Sequence, residues 1–177
     1  MITVLVTGPI GGGKSAACAH FAACGWPVYN CDERCKALYS EVPGLRERIE
    51  TTLGIPFREL GRIFSEPVLR EKLEAMVYPL LAEDIKSWKS SLDSPVAFIE
   101  SALAGEKPQF DGLYDTVLLI TAPLQVREER NPEAARRSAL QSFGRVKPGR
   151  TIRNVSTLEA LHKKLDNYLK KTVLKQL

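Results

Sequence analysis

Histidine is scarce in this chain, with two in 177 residues, and aromatic residues make up only 7% of it. No basic stretch is interleaved with aromatics, so the stacking platform of a single-strand nucleic-acid binder is not expected. The charge balance is slight as well. Lys and Arg number 25 and Asp and Glu 21, so 25 − 21 = +4, with an isoelectric point near 8.9. That suits an anionic ligand but is no stripe for gripping duplex DNA. No uncharged apolar run approaches the roughly 18 residues that cross a bilayer, so no membrane partner is expected. Met1 leads straight into Ile2-Thr3-Val4-Leu5-Val6 without a basic n-region. A secretory signal is therefore not expected, and a cytoplasmic location is. The four cysteines, Cys18, Cys24, Cys31 and Cys35, contain no C-x-x-C pair, and His20 and His162 lie far apart in sequence. Free thiols in a reducing compartment are expected rather than a zinc site. No coiled-coil heptads or obvious exposed interface appear, and a monomer or weak homo-oligomer is the expectation.

What is present is ordinary globular composition, 44% hydrophobic and 26% charged. At roughly 150 residues per domain the length suits one compact unit. Ile2–Val6 reads as a buried strand ended by Thr7-Gly8-Pro9, and a helical pattern runs from Ala16 to Cys24 until Gly25 stops it. Trp26–Tyr29 is a second short strand, and helices are expected over 32–39 and 43–53. Pro67 opens a long amphipathic stretch towards Trp88, with Pro79 as a kink or break. Val96–Ile99 and Thr116–Ile120 are continuous apolar runs, as strands covered on both faces require. Pro123 starts a helix expected to carry Arg127, Arg130, Arg136 and Arg137, and a basic helix from Ser156 closes the chain. Strands alternating with helices predict an α/β three-layer sandwich with a parallel sheet.

The chemistry concentrates in Gly8-Pro9-Ile10-Gly11-Gly12-Gly13-Lys14-Ser15, which matches G-x-x-x-x-G-K-[ST] between a strand and a helix. Gly8, Gly11, Gly12 and Gly13 let backbone N–H groups turn inward around phosphate oxygens. The first turn of the following helix, through Ala16, adds unpaired N–H groups and the positive end of its dipole. Lys14 is placed to neutralise β- and γ-phosphates, and the Ser15 hydroxyl to ligate Mg²⁺, which makes ATP and Mg²⁺ the expected cofactors. A phosphate loop alone does not separate a kinase from a hydrolysing switch. If the second strand is parallel to the first, Asp32 reaches the same rim and suits a general base, or else caps the helix that follows. Arg127, Arg130 and Arg137 have spacings that would set them on one helix face over a transferring phosphoryl group, although a solvated face paired with nearby glutamates is the alternative. Glu100 ends the third strand, either towards metal and substrate or as a first-turn helix acid.

The chain resembles the dephospho-CoA kinases over most of its length. The resemblance rests on Thr7–Ser15, Gly25–Asp32, Arg62-Ile63-Phe64, Leu73–Pro79, Ile99–Ala102 and Ala122-Pro123-Leu124. It implies a single P-loop kinase domain over 1–177, with its core at about 1–40 and 95–177. A helical substrate-binding region at about 41–94 and a reduced lid at about 127–145 complete it. It further implies transfer of the ATP γ-phosphoryl to the ribose 3′-hydroxyl of dephospho-CoA, the last step of coenzyme A synthesis. Lys14, Asp32, Arg130 and Arg137 would be catalytic. Asp32, Tyr78, Pro79 and Glu100 would meet the substrate. The chain departs from the family pattern at Asn30, where a second aspartate is usual, at Ala16 (threonine), at Tyr78 (histidine) and in its shortened lid. Another small-molecule or nucleotide kinase, or a nucleotide-binding paralogue without catalysis, are the alternatives.

Overall fold

The structure is a computed structural model that describes residues 1–138 and 143–176, the side chains of 137, 138 and 176 excepted. By its internal contacts the chain divides into two compact units, Met1–Asn30 with Ser91–Leu177, and Cys31–Ser90.

The first unit holds a sheet of five strands: β1 (Ile2–Thr7), β2 (Val28–Asn30), β3 (Val96–Glu100), β4 (Thr116–Thr121) and β5 (Arg150–Arg153). Their order is β2-β3-β1-β4-β5, and all four pairings are parallel. Every residue of β3 is buried, which is why its sequence is a continuous apolar run instead of an alternating one. Val4, Val6, Phe98, Leu118, Ile120 and Ile152 pack in one cluster with Phe21 of helix α1 (Lys14–Ala23) and with Leu161 and Leu165 of α7 (Leu158–Tyr168). Phe21 stacks flat on Phe98 at 3.8 Å between ring centroids. β5 has one buried residue, Ile152, between exposed neighbours, too little apolar signal to mark it as a strand.

Pro123 does not start one helix bearing four arginines. α5 spans Leu124–Arg130 and α6 spans Ala134–Ser138. Asn131 between them is extended (φ −152°, ψ 107°), the conformation that a following proline, Pro132, favours. The seven-residue spacing of Arg130 and Arg137 therefore does not set them on a common helix face. The C-terminal helix also differs from expectation: after Tyr168 it widens to a π-helix at Leu169–Val173 and then tightens to a 3₁₀ turn at Leu174–Gln176.

The second unit is helical: α2 (Cys31–Glu41), α3 (Leu45–Leu53), a 3₁₀ segment (Phe57–Phe64) and α4 (Pro67–Ser90). Leu38, Leu45, Ile49, Leu73, Val77, Leu81 and Ile85 are among its buried positions. Pro67 occupies the first helical position, where a missing N–H costs nothing. Of the kink or break expected at Pro79, the break is absent, because α4 runs through it. Arg34 ties α2 to α4 through a bidentate pair with Asp84, both contacts at 2.9 Å, and also holds Glu41.

Candidate active site

In the first unit β1 is the point where the strand order reverses: β3 and β2 lie to one side of it, β4 and β5 to the other. Ligands in open parallel sheets bind at such a reversal, beyond the carboxyl ends of the strands. The glycine-rich loop leaves β1 there. Gly8 adopts φ +146°, and a Cβ on it would overlap the Ile120 carbonyl oxygen at the end of β4. At Gly11 and Gly12 a side chain would come within 2.7 Å of the Arg127 carbonyl oxygen and 2.8 Å of the Ile120 carbonyl oxygen. Gly13, at φ +108°, precedes α1, which starts at Lys14 and carries Ser15 and Ala16 in its first turn. The glycine loop thus runs directly into the N-terminus of α1, the positive end of a helix dipole and a setting that suits an anion.

Lys14 folds back along the loop and donates to the Gly8 carbonyl at 2.9 Å. The Ser15 hydroxyl donates to Glu100 Oε1 at 2.6 Å, and Asn30 Nδ2 donates to Glu100 Oε2 at 3.2 Å. Register explains the meeting, because Asn30 at the end of β2 is paired with Glu100 at the end of β3, and Glu100 with Val6 of β1. Glu100 is buried and is not a first-turn helix acid; the next helical turn after it is the 3₁₀ segment Ala104–Glu106. Its carboxylate and the Ser15 hydroxyl are hard oxygen donors side by side, the kind that Mg²⁺ takes.

Two arginines of α5 reach the loop from the β4 side. Arg127 donates from Nε to the Ala122 carbonyl at 3.0 Å and from Nη1 to the Ile10 carbonyl at 3.4 Å. Arg130 donates from Nη1 to the Gly11 carbonyl at 3.3 Å. Arg136, which the shared-face reading did not include, is exposed and paired with Glu133. The backbone of Arg137 belongs to α6, and its side chain lies outside the described residues.

Asn154, which sequence reasoning missed as a site residue, holds the loop from behind. Its buried Nδ2 donates to the Gly12 carbonyl at 3.0 Å. Its own backbone N–H extends the β4–β5 ladder to Thr121. Only a contact between residues distant in sequence reveals it, so no local pattern would have found it.

Within the helical unit, Asp32 lies inside the first turn of α2, not ahead of it as a cap, and is exposed. Tyr78 and Pro79 lie midway along α4, Tyr78 half-buried and Pro79 exposed. Burial chiefly, then the negative charge of Glu74, pushes the Tyr78 hydroxyl well above the tyrosine range, and Asp32 adds to the rise. Burial likewise pushes the Cys35 thiol up to about 11, again with a contribution from Asp32. Cys35 is thus a neutral thiol at physiological pH and a poor nucleophile.

The family model for dephospho-CoA kinase matches residues 2–142. Dephospho-CoA kinases from Porphyromonas gingivalis and Neisseria gonorrhoeae are each 34% identical, over 139 and 133 residues. Those matches cover 73% and 69% of this chain, and 68% and 63% of the relatives. The crystal structure of TT1252 from Thermus thermophilus, 28% identical, superposes over 97% of both chains with a TM-score of 0.79. A dephospho-CoA kinase from Campylobacter jejuni (18% identical, 96% of both chains, TM-score 0.59) shares the fold. With its phosphate loop, its five-stranded parallel sheet and these relatives, the chain belongs to the dephospho-CoA kinase family of ATP-dependent phosphotransferases.

Proposed function

We propose that this chain transfers the γ-phosphoryl group of ATP to the ribose 3′-hydroxyl of dephospho-CoA in the cytoplasm, as a monomer or weak homo-oligomer. The observation that carries this reading is the Ser15–Glu100–Asn30 cluster beside the phosphate loop. It sets oxygen donors for a divalent cation next to the cradle for a triphosphate. Ser15 and Glu100 would hold Mg²⁺, which when bound offsets charge on the phosphate oxygens.

The loop N–H groups and Lys14 bind and orient the phosphates. With a nucleotide present, Lys14 exchanges its carbonyl partners for phosphate oxygens, a stronger charge-assisted bond. Arg127 and Arg130 stand against the loop with guanidinium charge available to the transferring group. The substrate oxygen forms a bond to γ-phosphorus while the bond to the β,γ-bridging oxygen breaks and ADP leaves. Asp32 takes the hydroxyl proton. Chain position supports that role, since Asp32 follows two residues after Asn30, whose side chain touches the cluster. Tyr78 and Pro79 of α4 contribute to the acceptor side.

A panel of acceptors with Mg-ATP tests the reading. Dephospho-CoA is expected to stimulate ADP formation well above the hydrolytic background, Lys14→Ala to abolish it, and Asp32→Asn to lower it at least about a hundredfold with ATP affinity nearly unchanged. Stimulation by a different hydroxyl compound would redirect the reading to another small-molecule kinase. Nucleotide binding by calorimetry without any transfer would make the protein a binding paralogue.

A further inference from the structure

Two helices of the first unit each present a pair of metal-competent side chains one turn apart. His20 and Cys24 lie at the C-terminal end of α1, Cys24 as its capping residue, and His162 and Asp166 lie on α7. The helices share a core through Phe21, Leu161 and Leu165, and their packing brings the polar pairs together. Sequence spacing, which sets the two histidines far apart, gives no hint of this.

His20 Nε2 lies 2.7 Å from Asp166 Oδ1 and 3.9 Å from Cys24 Sγ. Ligand atoms of His20, Cys24 and Asp166 all fall within 4.8 Å of one another. Ordinary zinc bond lengths in a tetrahedron put nitrogen and oxygen ligands about 3.4 Å apart, and nitrogen and sulfur about 3.6 Å apart. The observed separations straddle those values, so small side-chain rotations suffice to seat an ion. His162 stacks on His20, with centroids 4.1 Å apart and planes 18° from parallel, which holds the His20 ring in place.

The electrostatics favour a cation. A carboxylate and a thiolate supply two negative charges, and the carbonyl end of α1 adds its partial negative charge. The N, S, O donor set is that of a borderline-soft ion. Access is open, because the His20 side chain is 13% exposed and that of Asp166 47% exposed. None of the three residues belongs to the phosphate loop or to the Ser15–Glu100 cluster.

We propose that His20, Cys24 and Asp166 form a Zn²⁺ site, with a fourth position open to water. It ties the helix that leaves the phosphate loop to the C-terminal helix. On binding, Cys24 gives up its thiol proton, and His20 exchanges its bond to Asp166 for one to the ion.

The test uses the full chain, free of any affinity tag, stripped with a chelator and kept free of nucleotide. Zn²⁺ is titrated by calorimetry, and Co²⁺, its spectroscopic stand-in, by absorption. Wild type is expected to bind one Zn²⁺ and to show a thiolate-to-cobalt charge-transfer band. Cys24→Ser should lose that band, and both Cys24→Ser and Asp166→Asn should weaken Zn²⁺ binding at least about tenfold. Zn²⁺ should raise the melting temperature of wild type and not of Cys24→Ser. Cys24 is exposed, so the metal-free variant should melt with the metal-free wild type. Absence of the cobalt band in wild type, or equal Zn²⁺ affinity in wild type and both variants, overturns the proposal.

Discussion

At the scale of single residues, the phosphate loop depends on partners outside its own motif. Asn154 fills the space behind Gly13 and donates to the Gly12 carbonyl from a buried position. Asn154→Ala leaves that carbonyl without its donor and opens a void, a change worth about 1–3 kcal/mol. A lower melting temperature and a raised KM for ATP are expected, with the acceptor KM less affected; steady-state kinetics against each substrate separate the two. The loop's chemistry was legible from the chain because eight contiguous residues carry it. Asn154 was not, because nothing around it repeats or alternates in a way that marks a ligand. Glu100 was legible by position, at the end of an apolar run, yet not by partner, since its contact with Ser15 depends on strand register.

At the scale of elements, the apolar runs over 96–99 and 116–120 and the Pro67 start became β3, β4 and α4 to within a residue or so. Two prolines act differently on their helices. Pro132 breaks the arginine helix because the residue before a proline avoids helical geometry, whereas Pro79 is tolerated within α4. Tolerance has a cost: Pro79 has no N–H for the carbonyl four residues back, that of Ala75, and a mid-helix proline is about 3 kcal/mol less favourable than alanine. Pro79→Ala is therefore expected to stabilise the helical unit by about 1–3 kcal/mol, read as a shift in denaturant midpoint. On the proposed acceptor role it should also raise the KM for dephospho-CoA while sparing that for ATP.

For the whole molecule, stability should decline in alkali. Burial raises the thiol of Cys35 to about 11 and the hydroxyl of Tyr168 to about 12, and raises Tyr39 and Tyr78 further. The unfolded chain releases these protons first, Cys35 from about pH 9 and the tyrosines from about pH 10. Above those values the unfolded state binds fewer protons than the folded one, so the free energy of unfolding falls as pH rises. The melting temperature is expected to drop from about pH 9 upward. Cys35→Ala should delay the onset towards pH 10, where the tyrosines take over.

The family match ends at residue 142, whereas the strand that extends the sheet's far edge, the amide behind the loop and the helix under Phe21 all come later. A protein trimmed to the recognisable portion would keep every letter of the nucleotide motif and lose the buttress that gives the motif its shape.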